Sequence, residues 1–223
     1  MRQVEGRIKL LRFHPDTGPF EQFYSYSFSE CMTVLDVLNR IYLEQDGTIA
    51  FPRCCRNGKC GLCTLFVNGH PVLACREMAQ REMVIGPLPH FPVLRDLVVD
   101  RTPAEAHRKA IQPNMVREEQ ACRPIRLGDT RSDFLRSSRC IECLSCMAVC
   151  PVYGSDPVHF PGPMPLARFF RYMADPRISP PSRGESAWTS LDRCIACGAC
   201  TRVCPEDVDP CRLICKWKES AEI

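Results

Sequence analysis

Two stretches of this chain, Cys140-x2-Cys143-x2-Cys146-x3-Cys150-Pro151 and Cys194-x2-Cys197-x2-Cys200-x3-Cys204-Pro205, share one spacing and limit the fold more than anything else in it. They belong to a total of 17 cysteines in 223 residues. Cysteines in such number either staple a scaffold by disulfides or ligate metal. Disulfide frameworks favour short exported chains with an even count. Here the count is odd and the cysteines fall in tight bursts. The N-terminus, Met1-Arg2-Gln3-Val4-Glu5-Gly6-Arg7, lacks the apolar core of a secretory signal. Neighbours two residues apart staple distant segments poorly but surround a metal centre well. Metal ligation is the expectation.

Each run has the complete C-x2-C-x2-C-x3-C-P spacing of bacterial-type iron–sulfur sites, whose fourth cysteine ligates the other cluster. One cubane is expected on Cys140, Cys143, Cys146 and Cys204, and a second on Cys150, Cys194, Cys197 and Cys200. Short spacing lets one loop hold three corners of a cluster, and crossed ligands keep two centres close. A third constellation, Cys55-x4-Cys60-x2-Cys63 followed by Cys75, has the plant-type [2Fe–2S] spacing. Gly58 and Gly61 relax the backbone so that the loop can curl and turn its amides toward sulfur. The competing reading is a four-cysteine zinc site. Zinc favours paired C-x2-C spacings, which the x4 loop fits poorly.

Cys31, Cys54, Cys122, Cys211 and Cys215 remain. Most are expected to pack as small hydrophobes, with Cys54 a candidate substitute ligand. Cys211 and Cys215, one turn apart on a short helix begun by Asp209 and Pro210, are expected to pack rather than build another metal site. His14, His70, His90, His107 and His159 are scattered, without catalytic or metal spacing. Trp188 and Trp217 read as packing residues rather than electron relays, and Arg168, Arg171 and Arg177 as a solvated face. No phosphate loop or nucleophile elbow occurs, so no catalytic residue is expected on this chain.

The first hundred residues read as strands around one helix. Val4 to Phe13 is strand-like, and in Tyr24-Ser25-Tyr26-Ser27-Phe28-Ser29 aromatics alternate with serines. Val34, Val37, Leu38, Ile41 and Tyr42 then fall on one helical face, with Thr33 and Asp36 placed as a capping box. Asn68-Gly69 between Leu62–Val67 and Pro71–Ala74 is a hairpin signal, and Met83-Val84-Ile85 a further strand. Pro103 to Met115 looks helical, no alternation recurs later, and a proline-rich passage, residues 151–181, separates the two runs. The expected class is α+β: an N-terminal β-grasp ferredoxin domain over residues 1–103, then an all-α, bacterial-ferredoxin-type domain over 104–223 with two cubanes.

A net charge of +3 gives no argument for nucleic acid. No apolar stretch approaches the roughly 20 residues that cross a bilayer. The expectation is a cytoplasmic protein.

With these motifs in order, the chain resembles the iron–sulfur subunit of succinate dehydrogenases and fumarate reductases. Arg53 to Cys63 resembles the family's cluster loop, Asn68-Gly69 to Cys75 its closing hairpin, and residues 87–100 its connector between domains. The resemblance implies a relay of electrons among three clusters, between an FAD-containing flavoprotein subunit and a membrane anchor with its quinone. It implies peripheral attachment to the inner face of the membrane through those partners.

Three departures refine this. Most members lack a cysteine at the position of Cys197 and hold [3Fe–4S] there; with Cys197 present, [4Fe–4S] is expected. Val152-Tyr153-Gly154 and Ile195 replace a tryptophan-rich stretch and a histidine that help form the family's quinone pocket. The tail after Pro205 is short. Together these resemble a divergent branch with two [4Fe–4S] clusters, linked to thiols or methylmenaquinol through a heterodisulfide-reductase-like subunit. Alternatives are the same relay serving a flavoprotein for an acyl-CoA, a 2-hydroxy acid such as lactate, or a disulfide; a free-standing carrier; and a zinc-stabilised interaction module.

Overall fold

In the computed structural model, residues 4–29, 31–111, 131–175 and 190–221 are described. Strands β1 (Val4–His14) and β2 (Gly18–Phe28) pair antiparallel along their whole length, Val4 opposite Phe28 and His14 opposite Gly18. Strand β5 (Glu82–Gly86) runs parallel to β1. Strand β3 (Thr64–Val67) lies antiparallel to β5 and to β4 (His70–Leu73), giving the order β2-β1-β5-β3-β4. The alternating aromatics Tyr24, Tyr26 and Phe28 point into the core with Ile8 and Leu10. β2 begins at Gly18, ahead of the expected start. Its first half is largely exposed and lacks alternation; pairing with β1 extends it, with Lys9 and Glu21 2.7 Å apart and Arg12 donating to Gln22 at 2.6 Å across the pair.

Helix α1 (Val34–Glu44) contributes Val34, Leu35, Val37, Leu38 and Ile41 to the same core. Its capping box forms as read. Asp36 N–H donates to Thr33 Oγ1 at 3.2 Å, and Thr33 N–H donates to the Asp36 carboxylate at 2.9 Å. Such a cap is worth about 1 kcal/mol.

The connector-like stretch, residues 87–100, holds a small hairpin, β6 (Val93–Arg95) and β7 (Val98–Val99). Between them Asp96 adopts φ 47° and is only 2% exposed. Its carboxylate accepts from Arg12 Nε and from Ala50 N–H, both at 2.8 Å. Arg12 also donates to Asp46 at 2.8 Å. One buried guanidinium thus ties β1, the loop after α1 and the hairpin together. Burial opposes ionisation of Asp46, but bonds from Thr48 and Tyr24 and the charge of Arg12 outweigh it, holding its carboxyl well below the usual range.

Packing divides the chain into two units, residues 1–100 with 141–148, and residues 101–140 with 149–223. Past Val99 every described element is helical: α2 (Thr102–Ile111), α3 (Arg131–Ser137), α4 (Ser145–Ala148), α5 (Pro151–Ser155), α6 (Pro163–Met173), a 3-10 turn at Leu191–Arg193, α7 (Ala199–Arg202) and α8 (Pro210–Ala221). The class is a mixed sheet followed by a helical, cysteine-rich region. In the second unit α6 packs against α2, α3 and α8. Phe170 stacks on Trp217, centroids 5.4 Å apart. Asp133 accepts from Arg212 and Lys216, joining α3 to α8. Arg168 and Arg171 are half-buried instead of solvated, and Arg171 lies 5.9 Å from the centroid of the Phe134 ring.

The helical reading of 103–115 extends beyond the described residues after Ile111. Cys122, Arg177, Trp188 and the end of the proline-rich passage also lie outside them. Among the described residues, no helix is long and apolar enough to cross a membrane.

Candidate iron–sulfur centres

The first centre is built where β3 and β4 begin and end. Their register, Thr64 opposite Leu73, places Cys63 beside Ala74, whose N–H donates to the Cys63 carbonyl at 3.0 Å. Cys75 follows at once, and the two thiols hydrogen-bond. The loop that carries the other two cysteines is pinned to α1 by Arg53. Its guanidinium lies 4.8 Å from the Tyr42 ring centroid and 5.0 Å from that of Phe51, and donates to Asn39 at 3.0 Å.

Left-handed backbone at Arg56 (φ 58°), Gly58 (φ 74°) and Gly61 (φ 67°) curls this loop around Cys55. The amides of Lys59 and Cys60 point at Cys55 Sγ from 3.3 and 3.4 Å. The φ of 74° at position 58 favours glycine, and a Cβ there would also displace the Arg76 side chain, whose Nε would stand 2.0 Å away. An N–H from Asn57 first, then the Cys60 thiol and the Lys59 amide, pull the Cys55 thiol down to about 6. Burial, with Cys75 and Cys60 adding, pushes Cys63 up to about 12 against one lowering amide. Cys55, Cys60, Cys63 and Cys75 therefore converge. Cys54 adjoins them, hydrogen-bonded to Cys60 and exposed.

The second convergence lies wholly within the second unit. Cys150, Cys194, Cys197 and Cys200 line one cavity, together with Val152, Phe160, Ile195 and Ile214. Left-handed Ala196 (φ 55°) and Gly198 (φ 72°) wrap the chain between Cys194 and α7. Cys150 and Cys200 are buried, Cys194 half-buried and Cys197 exposed. Burial raises the thiols of Cys150, Cys194 and Cys200, the last to about 12. Iron binding must displace those protons. Ile195 lines the cavity with an apolar side chain that is 65% exposed, and Tyr153 is buried outside that lining.

The remaining expected ligands divide between the units. Cys143 and Cys146 are buried in the first, at the start of α4, which packs on β4. Cys140 and Cys204 are half-buried in the second. Every described cysteine is a thiol rather than half of a disulfide. The donor set fits iron–sulfur clusters: among the described residues, thiols without carboxylate or imidazole line the second cavity, and amides face the sulfur of Cys55.

The structure adds a residue that sequence reasoning assigned to packing. Cys211, on α8, lines the second cavity and hydrogen-bonds with Cys215. The i, i+4 spacing of the pair was visible in the sequence, but nothing local showed which way that face would turn. His159 contacts Asp156 nearby in the chain, whereas His107 reaches the distant Pro157 carbonyl at 2.7 Å.

Residues 7–106 match the family described as 2Fe-2S iron-sulfur cluster binding domain, and residues 136–208 the family described as 4Fe-4S dicluster domain. The fumarate reductase iron-sulfur subunit of Mycobacterium tuberculosis is 33% identical over 96% of this chain and 92% of its own length. The chain belongs to the iron–sulfur subunits of the succinate dehydrogenase and fumarate reductase family. This iron–sulfur subunit is also 34% identical to a subunit of the CoM/CoB fumarate reductase of Methanothermobacter marburgensis, over 91% of the chain. It spans only 41% of that relative's length. In the Mycobacterium smegmatis Sdh1 complex in the apo form, a chain matches it at a TM-score of 0.87 and 26% identity, covering 99% of this subunit and 96% of that chain. Relatives of this subunit are parts of oxidoreductase complexes, and electron transport through 2Fe-2S and 4Fe-4S centres follows from the family.

Proposed function

We propose that the chain relays electrons between an FAD-containing flavoprotein subunit and a distal membrane-anchor partner through three clusters. The reading places [2Fe–2S] on Cys55, Cys60, Cys63 and Cys75, one [4Fe–4S] on Cys140, Cys143, Cys146 and Cys204, and a second on Cys150, Cys194, Cys197 and Cys200. The convergence of the last four thiols in one cavity carries it. Cys197 supports four irons there over three, since it supplies the fourth thiolate. In fold terms the reading is a β-grasp domain over residues 1–103 and an α-helical ferredoxin domain over 104–223.

The clusters, when bound, supply one-electron carriers. The chain's own part is to hold thiolates, aim amides at sulfur and exclude water. Apolar Val152, Phe160 and Ile214 shield the second site, and the low polarity there tunes potential. The exposed Ile195 side chain carries no hydrogen-bond donor for a quinone, and the Tyr153 hydroxyl belongs to a buried side chain. With the likeness to a relative named for CoM/CoB, this favours a thiol or a heterodisulfide-reductase-like subunit over an ordinary quinone site. The protein then works on the cytoplasmic face of the membrane, held there by its partners.

Isolating the native complex without oxygen tests the reading. Flavin-loaded material should oxidise succinate or reduce fumarate. Absence of both activities in an intact complex would contradict this substrate assignment and favour a flavoprotein for an acyl-CoA, a 2-hydroxy acid or a disulfide.

A further inference from the structure

The second cavity offers one thiol too many. A cubane takes four thiolates, yet Cys211 lines the same wall as Cys150, Cys194, Cys197 and Cys200. Its thiol is in electrostatic range of Cys194 and Cys200 and hydrogen-bonds with Cys215. The placement is fixed through the backbone. Cys211 N–H donates to Thr201 Oγ1 at 3.3 Å, and that hydroxyl donates to Asp209 at 2.7 Å. Helix α8 therefore presents the extra sulfur from its own element, and Lys218 on the same helix donates to the Cys194 carbonyl at 3.2 Å.

We infer that Cys211 is a reserve ligand of the second cluster, able to take the iron of Cys194 when that thiolate is lost. The inference rests on the assignment of that cluster to Cys150, Cys194, Cys197 and Cys200. Cys194 is the partner because α8, the helix that carries Cys211, lies against it: Lys218 donates to its carbonyl at 3.2 Å, and its thiol feels that of Cys211. Cys200 is buried in α7 and Cys197 neighbours Cys150 and Cys194. Water, or the serine of C194S, takes the place of the lost Cys194 thiolate on iron; in the exchange the Cys211 S–H gives its proton to solvent, a sulfur–iron bond forms, and that iron–oxygen bond breaks. No electron moves.

The test measures iron and sulfide per chain, with electron paramagnetic resonance spectra, in anaerobic native protein, C194S, C194S/C211S, C194S/C215S and C197S. C194S and C194S/C215S should keep the native iron content and a four-iron centre. C194S/C211S should lose about one iron or the whole centre, and C197S should become a three-iron centre. Identical iron content and spectra in C194S and C194S/C211S would overturn the inference. C150S distinguishes the two levels of the claim: native spectra in C150S would remove the ligand assignment itself. Should C194S fail to accumulate, the native chain is compared with C211S and C215S for iron release to a chelator. Release from C211S should be several-fold faster than from the other two, and equal rates overturn the inference.

Discussion

Gly61 and Cys143 meet backbone to backbone. A Cβ on Gly61 would stand 2.8 Å from Cys143 Cα and 2.5 Å from the Ile141 carbonyl oxygen, closer than real Cβ atoms come. The loop of one expected centre therefore rests on the segment expected to ligate the next. Close contact of this kind is what one-electron transfer between neighbouring centres requires.

Gly61→Ala should be costly on two counts. Its φ of 67° penalises any L side chain by ~1–2 kcal/mol, and the contact with Ile141 and Cys143 forces the backbone apart. Iron analysis and spectra should show weakened incorporation at the Cys55 and Cys143 centres together. Gly69→Ala is the control: φ is 85° but nothing lies within 4 Å, so only the backbone penalty applies. Equal effects of the two substitutions would remove the contact argument.

Arg12→Met leaves the buried Asp96 carboxylate without its guanidinium and should destabilise the chain by ~3–5 kcal/mol in urea unfolding. The same network sets an acid limb. Asp46 has its carboxyl lowered on folding, so its contribution is present above the unfolded value of about 4. That contribution is lost as pH falls toward the lower folded value. The difference in stability between native protein and Asp46→Asn should be constant above pH ~5 and shrink below pH ~4. A difference that grows on acidification would refute the sign.

Asp209→Ala removes the acceptor shared by Thr201 Oγ1 and Arg212 N–H at the start of α8. A lost helix cap costs ~1 kcal/mol. Thermal unfolding should fall accordingly, and the centre near α7 should release iron faster, while the Cys55 centre keeps its native rate. Uniform loss at every centre would mean that Asp209 acts on the whole fold and not on this site.

Trp217→Leu tests packing against electron conduction. The ring stacks on Phe170, and its loss should lower stability by ~1–3 kcal/mol. Reduction rates of all centres, followed by rapid freezing, should stay native. A slowed rate with unchanged stability would make Trp217 a relay.

Much of this was legible in the sequence because it is local. The alternation of Tyr24, Tyr26 and Phe28, the face formed by Val34 to Ile41 and the Thr33–Asp36 cap all depend on neighbours a few residues away. The cysteine spacings are legible for the same reason, since one loop is expected to hold three corners of one cluster. What was hidden depends on contacts across long separations. Asp96 becomes a buried hinge of β6 and β7 only because Arg12 reaches it from β1. Residues 141–148 join the first unit because Cys143 and Ile141 fit against Gly61, far back in the chain. Cys211 reaches the second cavity because Asp133 and Thr201 dock α8, which no periodicity within α8 encodes.

The most direct measurement is the iron and inorganic sulfide content of native protein prepared without oxygen, read with its reduced spectra. The account expects about ten irons and about ten sulfides per chain, as one two-iron and two four-iron centres. A colourless chain with zinc and no inorganic sulfide would contradict it.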